Sequence, residues 1–112
     1  MMKIIKENNN ILLTLTENNL IDSNIKANDV DASFEKHVPN IKKVGDKAEI
    51  IVNHVMEEDH YIEWILVDYG NMQIIKHFKP HDEAKLTVDY QEGMIAYSYC
   101  NKHSLWVNDK IG

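Results

Sequence analysis

Apolar residues recur at every second position through most of this chain, in short runs broken by Gly, Asn, Asp and Pro. A two-residue period marks β-strands that bury one face. The strongest run, residues 61–69, sends Ile62, Trp64 and Leu66 to one face and Glu63 to the other. Gly70 and Asn71 mark a turn into residues 72–79, which Pro80 ends. Ala84, Leu86, Val88 and Tyr90 then alternate with Lys85, Thr87 and Asp89. After Gly93 a strand over 94–100 leads through a tight turn into 105–107. Residues 47–52 alternate more weakly, and no stretch carries sustained helical periodicity. Strands spaced in this way predict an all-β antiparallel sandwich, because each apolar face must be buried against a second sheet.

The first thirty residues read differently. Residues 11–15 form a strand within Asn-rich sequence, and Asn8, Asn9 and Asn10 make a turn between it and residues 3–6. The expected organisation is an N-terminal extension over 1–30 and one domain over 31–112. A length of 112 residues, 44% hydrophobic and 27% charged, supports a single modest core. The net charge of -6 comes from 18 acidic against 12 basic residues, all of them lysine. A basic face rich in arginine forks is therefore absent, which disfavours nucleic acid as a partner, although genome composition is the blander explanation for missing arginine. Neither a signal-peptide core nor a membrane span follows Met1, so the expected compartment is the cytoplasm. There a single thiol, Cys100, stays reduced and free for ligation or chemistry.

Cys100 stands three residues before His103 in CNKH, a separation at which a tight turn at a strand end aims both donors at one ion. Three more histidines lie upstream, His37, His54 and His60. On an extended strand His54 and His60 would lie roughly 20 Å apart. The acidic segment between them, Val55 to Asp59, must therefore fold back as a loop if both bind one ion. His37 sits in FEKHVP, where Pro39 disfavours helix at Val38. Four imidazoles and a thiolate exceed a tetrahedral site but suit five-coordinate iron with one open position. Taken singly, the bland readings are a surface or satisfied core histidine, retained for His77 and His81, and for Cys100 a small buried hydrophobe. Tyr97, Tyr99, Trp64 and Trp106 read as core and sandwich edge.

Three motifs, EKHVP at 35–39, HVMEEDHYIEW at 54–64 and YCNKHSLW at 99–106, resemble the superoxide reductases of the desulfoferrodoxin and neelaredoxin group over roughly residues 30 to 109. The resemblance implies a seven-stranded immunoglobulin-like sandwich. It implies equatorial iron ligation by His37, His54, His60 and His103, with Cys100 axial. Glu35 is the expected sixth ligand of the ferric state, and Lys36 the cation that draws in superoxide and helps protonate peroxide to the product, hydrogen peroxide. In an extended segment Lys36 would point away from Glu35 and His37, so a loop must gather all three. An exposed charge pair is the blander account of Glu35 and Lys36.

The chain departs from the family pattern at Val55, where proline is usual, and at Lys102 and Ser104, where CNLHG is usual. Ser104 gives up glycine's backbone freedom, and Lys102 adds charge beside the thiolate. The segment from His37 to His54 is shorter than usual, so a strand or turn near 43–53 is expected to be trimmed. Residues 1–30 contain no cysteine, which rules out a four-cysteine second iron centre in that stretch. They resemble such a domain after loss of its metal, with an expected role in packing a dimer or covering a sheet edge. Electrons must then come from outside, from a rubredoxin-type donor for which Lys42, Lys43, Lys47 and Lys102 are the proposed docking charges. The expected assembly is a homodimer or homotetramer. Rival readings are a metal hydrolase using Glu35 as base, an immunoglobulin-like module with incidental histidines, and an electron carrier with a closed coordination sphere.

Overall fold

In the computed structural model the residues described are 3–7, 10–14 and 34–108. The elements in chain order are β1 (Lys3–Glu7), β2 (Asn10–Thr14), one helical turn α1 (Phe34–His37), β3 (Asn40–Val44), β4 (Lys47–Ile51), β5 (Ile62–Asp68), β6 (Gln73–His77), β7 (Lys85–Asp89), β8 (Ile95–Cys100) and β9 (Ser104–Asn108). β1 and β2 pair as an antiparallel hairpin from Lys3↔Thr14 to Glu7↔Asn10, so Asn10 opens the second strand, while the rest of the expected asparagine turn, Asn8 and Asn9, lies outside the described residues. The division of the chain at residue 30 lies outside the described residues.

The other seven strands make two antiparallel sheets, β3-β4-β7 and β6-β5-β8-β9. This is the all-β sandwich that the alternation predicts. Its interior is filled from both sheets, by Ala48, Ile50 and Leu86 on one side and Ile65, Val67 and Ala96 on the other. The β3–β4 hairpin is complete. Its register runs from Asn40↔Ile51 to Val44↔Lys47, closed by Gly45 and Asp46 with Gly45 at φ 63°. In the segment 43–53 a two-residue turn with glycine in the left-handed region joins the two strands without a longer loop.

One correction concerns β5. Its pairing with β8 shifts register between Ile62↔Cys100 and Trp64↔Tyr99, so Glu63 is an extra residue in the ladder. Such a β-bulge reverses the facing of everything before it. Ile62 consequently joins Ile65 and Val67 in the interior, whereas Trp64 and Leu66 pack with Tyr99 and Leu105 in a separate cluster. β5 is buried on both faces from 64 to 67, which is why its sequence reads as a nearly continuous apolar run.

Strand direction decides where the chemistry collects. β3 and β7 begin, and β4 ends, at the end of their sheet where Asn40 pairs with Ile51 and Ile51 with Lys85. β5 and β9 begin, and β8 ends, where Ile62 and Ser104 pair with Cys100. The segments 34–39, 52–61 and 101–103 leave from those strand ends.

Ile62 and Ile75 test the facing created by the bulge, since Ile62 is buried and Ile75 is 39% exposed. Ile62→Ala is expected to cost about 2–5 kcal/mol in urea unfolding, and Ile75→Ala to stay within about 0.5 kcal/mol of the parent.

Candidate metal centre

His37 closes the helical turn α1 immediately before Val38 and Pro39. Its backbone is tied to the second sheet, because the buried Ser98 hydroxyl donates to its carbonyl at 2.6 Å. Within α1 successive residues turn by about 100°, so Lys36 and His37 are not on opposite sides as they would be on a strand. Lys36 is exposed and lines an open cleft of about 620 Å³ together with His54, Val55, Met56, Asp82 and Glu83. Glu35 belongs to the same turn, but its side chain lies outside the described residues.

The acidic segment between His54 and His60 folds back as required. Glu57 and His60 exchange backbone hydrogen bonds of 2.9 and 3.2 Å around a four-residue turn. Met56 anchors the loop from within, accepting the Ile62 N–H on its sulfur and the His81 N–H on its carbonyl. Asn101 clamps the far side. Its amide Nδ2 donates to the Asp59 carbonyl at 3.0 Å, its Oδ1 accepts the Tyr61 N–H at 3.0 Å, and its own N–H donates to the Tyr61 carbonyl at 3.2 Å. The residues on both sides of His60 are thus fixed to the turn that carries Cys100 and His103. In the sequence Asn101 reads only as a spacer in CNKH; its signal is an amide, able to donate and accept at once, between two ligand types.

The five predicted ligands converge. One potential ligand atom from each of His37, His54, His60, Cys100 and His103 lies within 4.8 Å of all the others. The imidazoles form a closed cycle, with centroid distances of 4.7 Å for His37–His54, 4.6 Å for His54–His60, 5.1 Å for His60–His103 and 4.8 Å for His103–His37. Cys100 Sγ stands 3.5 Å from His54 Nε2 and 3.8 Å from His103 Nδ1. Those two rings are opposite corners of the cycle, so the sulfur caps the ring of imidazoles rather than extending one edge.

The donor set fits a metal ion on three observations. His37 Nε2 and His103 Nδ1 are 3.0 Å apart, and two nitrogens bonded at right angles to a transition metal at roughly 2.1 Å stand about 3.0 Å apart. His60 Nε2 is buried without a hydrogen-bond partner, a costly arrangement unless something else takes its lone pair. His54 donates from Nδ1 to the Val55 carbonyl at 2.5 Å, which leaves its Nε2 lone pair toward the cluster. Burial first, and then the neighbouring imidazoles of His37, His60 and His103, push the His54 pKa down to about 4, against a raising effect of the Val55 carbonyl. It is therefore neutral and able to ligate at neutral pH. Burial pushes the Cys100 thiol up, while the backbone N–H groups of Lys102 and His103 oppose it by favouring the thiolate.

Known proteins agree with this site. The desulfoferrodoxin family model matches residues 29–109. The chain belongs to the desulfoferrodoxin family. It is 36% identical over 88 residues to a desulfoferrodoxin of Clostridium acetobutylicum, covering 76% of this chain and 70% of that protein. To a desulfoferrodoxin homolog of Archaeoglobus fulgidus it is 42% identical over 80 residues, 68% of this chain and 64% of the relative. The chain thus matches about two thirds of the length of these curated relatives. Among solved structures, the superoxide reductase from Treponema pallidum superposes with a TM-score of 0.68 at 25% identity, over 77% of this chain and 76% of that one. The one-iron superoxide reductase from Giardia intestinalis gives 0.56 at 28%, over 66% and 95%. Mononuclear iron is the cofactor of the family, and the four imidazoles and thiol suit one such ion.

The remaining candidates are placed apart. His77 lies exposed on β6, and His81, in the left-handed region at φ 73°, faces Glu58 at 3.5 Å. Of the suggested docking lysines, Lys47 starts β4 at the end of the sandwich away from the site and is salt-bridged to Asp89. Lys43 stacks over the Tyr90 ring at 4.5 Å. Lys102 is in the ligand turn, 3.8 Å from Asp59. No helix among the described residues is long and apolar enough to cross a membrane.

Ser104 carries the consequence expected from the loss of glycine. It holds φ 66°, left-handed and unfavourable for a residue with a Cβ. Ser104→Gly is therefore expected to stabilise the folded chain by about 1 kcal/mol, measured as a raised melting temperature at unchanged iron content.

Proposed function

We infer that the chain is a superoxide reductase, in which His37, His54, His60, His103 and Cys100 are the residues that would hold one iron. The observation that carries this reading is the cycle of four imidazoles capped on one side by the Cys100 sulfur. The relatives with solved structures named superoxide reductases support it. The reaction takes one electron and two protons to turn superoxide into hydrogen peroxide, and iron in this donor set supplies that electron. Burial raises the Cys100 pKa and the two backbone N–H groups oppose it; as a thiolate, Cys100 would be the residue that makes a bound metal electron-rich.

The protein is acidic overall, and superoxide is an anion, so a local cation must guide the encounter. Lys36 is that cation: it is exposed at the cleft that His54 also lines. Glu35, next to it on the same turn, is the proposed sixth ligand when the iron is ferric. Electrons come from an external donor of the rubredoxin type, docking near Lys102 rather than near Lys42, Lys43 or Lys47, in the cytoplasm. With this reading goes the proposal that residues 1–30, which contain no cysteine, are a vestigial metal-free domain that packs a homodimer or homotetramer or covers a sheet edge. The second reading is a metal-binding or electron-transfer module without turnover, and it differs by ignoring small anions.

Purified under reducing conditions, the chain is expected to carry one iron and to be oxidised by a superoxide pulse, whereas Cys100→Ser loses that oxidation. A chain without iron, or a serine variant that reacts at the parent rate, would refute the assignment. Lys36→Ala is expected to slow the reaction about tenfold at low ionic strength and to flatten its salt dependence, as followed by stopped-flow or pulse radiolysis.

A further inference from the structure

Trp106 is assigned no part in the reaction by its place in β9, yet it touches two of the four imidazole-bearing residues. Its indole stacks on the His37 ring at 4.9 Å with the planes 23° apart. Its Nε1–H donates to the His103 carbonyl at 3.0 Å. The residue is 1% exposed and pairs across the sheet with Ser98, whose hydroxyl holds the His37 carbonyl. His37 and His103 are adjacent corners of the cycle, with nitrogens 3.0 Å apart. One rigid, two-torsion side chain therefore fixes the ring plane of one corner and the backbone of the next.

We propose that Trp106 is a positioning residue for the iron centre, setting the mutual orientation of His37 and His103 through its ring face and its N–H. The inference rests on the ligand set of the preceding section. An imidazole has two soft torsions, and a metal bond restrains its nitrogen better than its ring plane. The stacked indole removes the rotation that would carry His37 out of the cycle. The hydrogen bond to His103 O holds the turn between Cys100 and Ser104, where the strained Ser104 would otherwise favour relaxation. Outer contacts of this kind typically change metal affinity by 10- to 100-fold.

Trp106→Phe keeps an aromatic face but removes the donor, and Trp106→Leu removes both. Anaerobic titration with Fe(II) against a competing chelator, the thiolate-to-iron absorption band and the midpoint potential are the measurements. Leu66→Ala, a truncation in the outer cluster away from His37, serves as a control for lost stability. The phenylalanine variant is expected to bind Fe(II) about 10-fold more weakly and to shift both the band and the potential. The leucine variant is expected to lose more, and the control to lower the melting temperature without moving band or potential. A phenylalanine variant with parental affinity, band and potential would overturn the proposal, as would equal shifts in Leu66→Ala. If Trp106→Leu does not fold, Trp106→Phe decides. A parent chain that takes up no iron overturns the ligand set itself, a different result from a parent that binds iron beside an unaffected phenylalanine variant.

Discussion

Three hydrogen bonds between Asn101 and the backbone of Asp59 and Tyr61, two donated and one accepted by Asn101, join two segments that the sequence separates by forty residues. The rest of the site depends on that join. His60 belongs to a loop that leaves one sheet for the other, and Cys100 and His103 belong to a hairpin turn within the second sheet. Met56 packs against the core, but residues 57–59, 101 and 102 are exposed and gain little from packing. The clamp replaces that missing packing with a short ladder of backbone-like bonds, and the bulge at Glu63 lets β5 continue from it while turning Ile62 into the core.

Without an ion the convergence is energetically awkward. Four imidazoles crowd together, one of them with a buried nitrogen that makes no hydrogen bond, and a thiol is buried among apolar side chains. Burial lowers the pKa of His54 and raises that of Cys100. The first effect keeps the imidazole neutral and ready to ligate; the second opposes the thiolate that a metal requires, so the amides of Lys102 and His103 and the ion itself must supply the compensation. Fold and cofactor are coupled in this sense: sandwich packing brings the donors together, and the metal satisfies what the packing leaves open. Ser104, Asn101 and Trp106 surround the same turn, and each constrains it by a different means: backbone conformation, hydrogen bonding and ring stacking.

Much of the fold was legible because alternation is a local property. The strands over 47–52, 61–69, 84–90, 94–100 and 105–107 are present within a residue or two at their ends. The ligand candidates were legible through residue type and motif, and the fold-back between His54 and His60 follows from the length of an extended strand. Other features were not legible. A bulge at Glu63 depends on how β5 aligns with β8, which no count along β5 reveals. The complete β3–β4 hairpin depends on Gly45 taking a left-handed conformation, and the sequence offered only a short segment. Asn101 and Trp106 read as spacer and core because their partners are remote in sequence.

The sequence by itself determined the donor types, the strand period, the absence of arginine and the single thiol, since these are properties of side chains or of neighbours one and two residues apart. Only the tertiary structure decided that the imidazoles close into a cycle, that the sulfur caps it between opposite corners, and that Lys36 shares a cleft with His54 while Lys47 lies at the far end. Those relations depend on which strand ends coincide when two sheets pack. Strand pairing and sheet packing sum many weak contacts over the whole domain, and no local pattern encodes that sum.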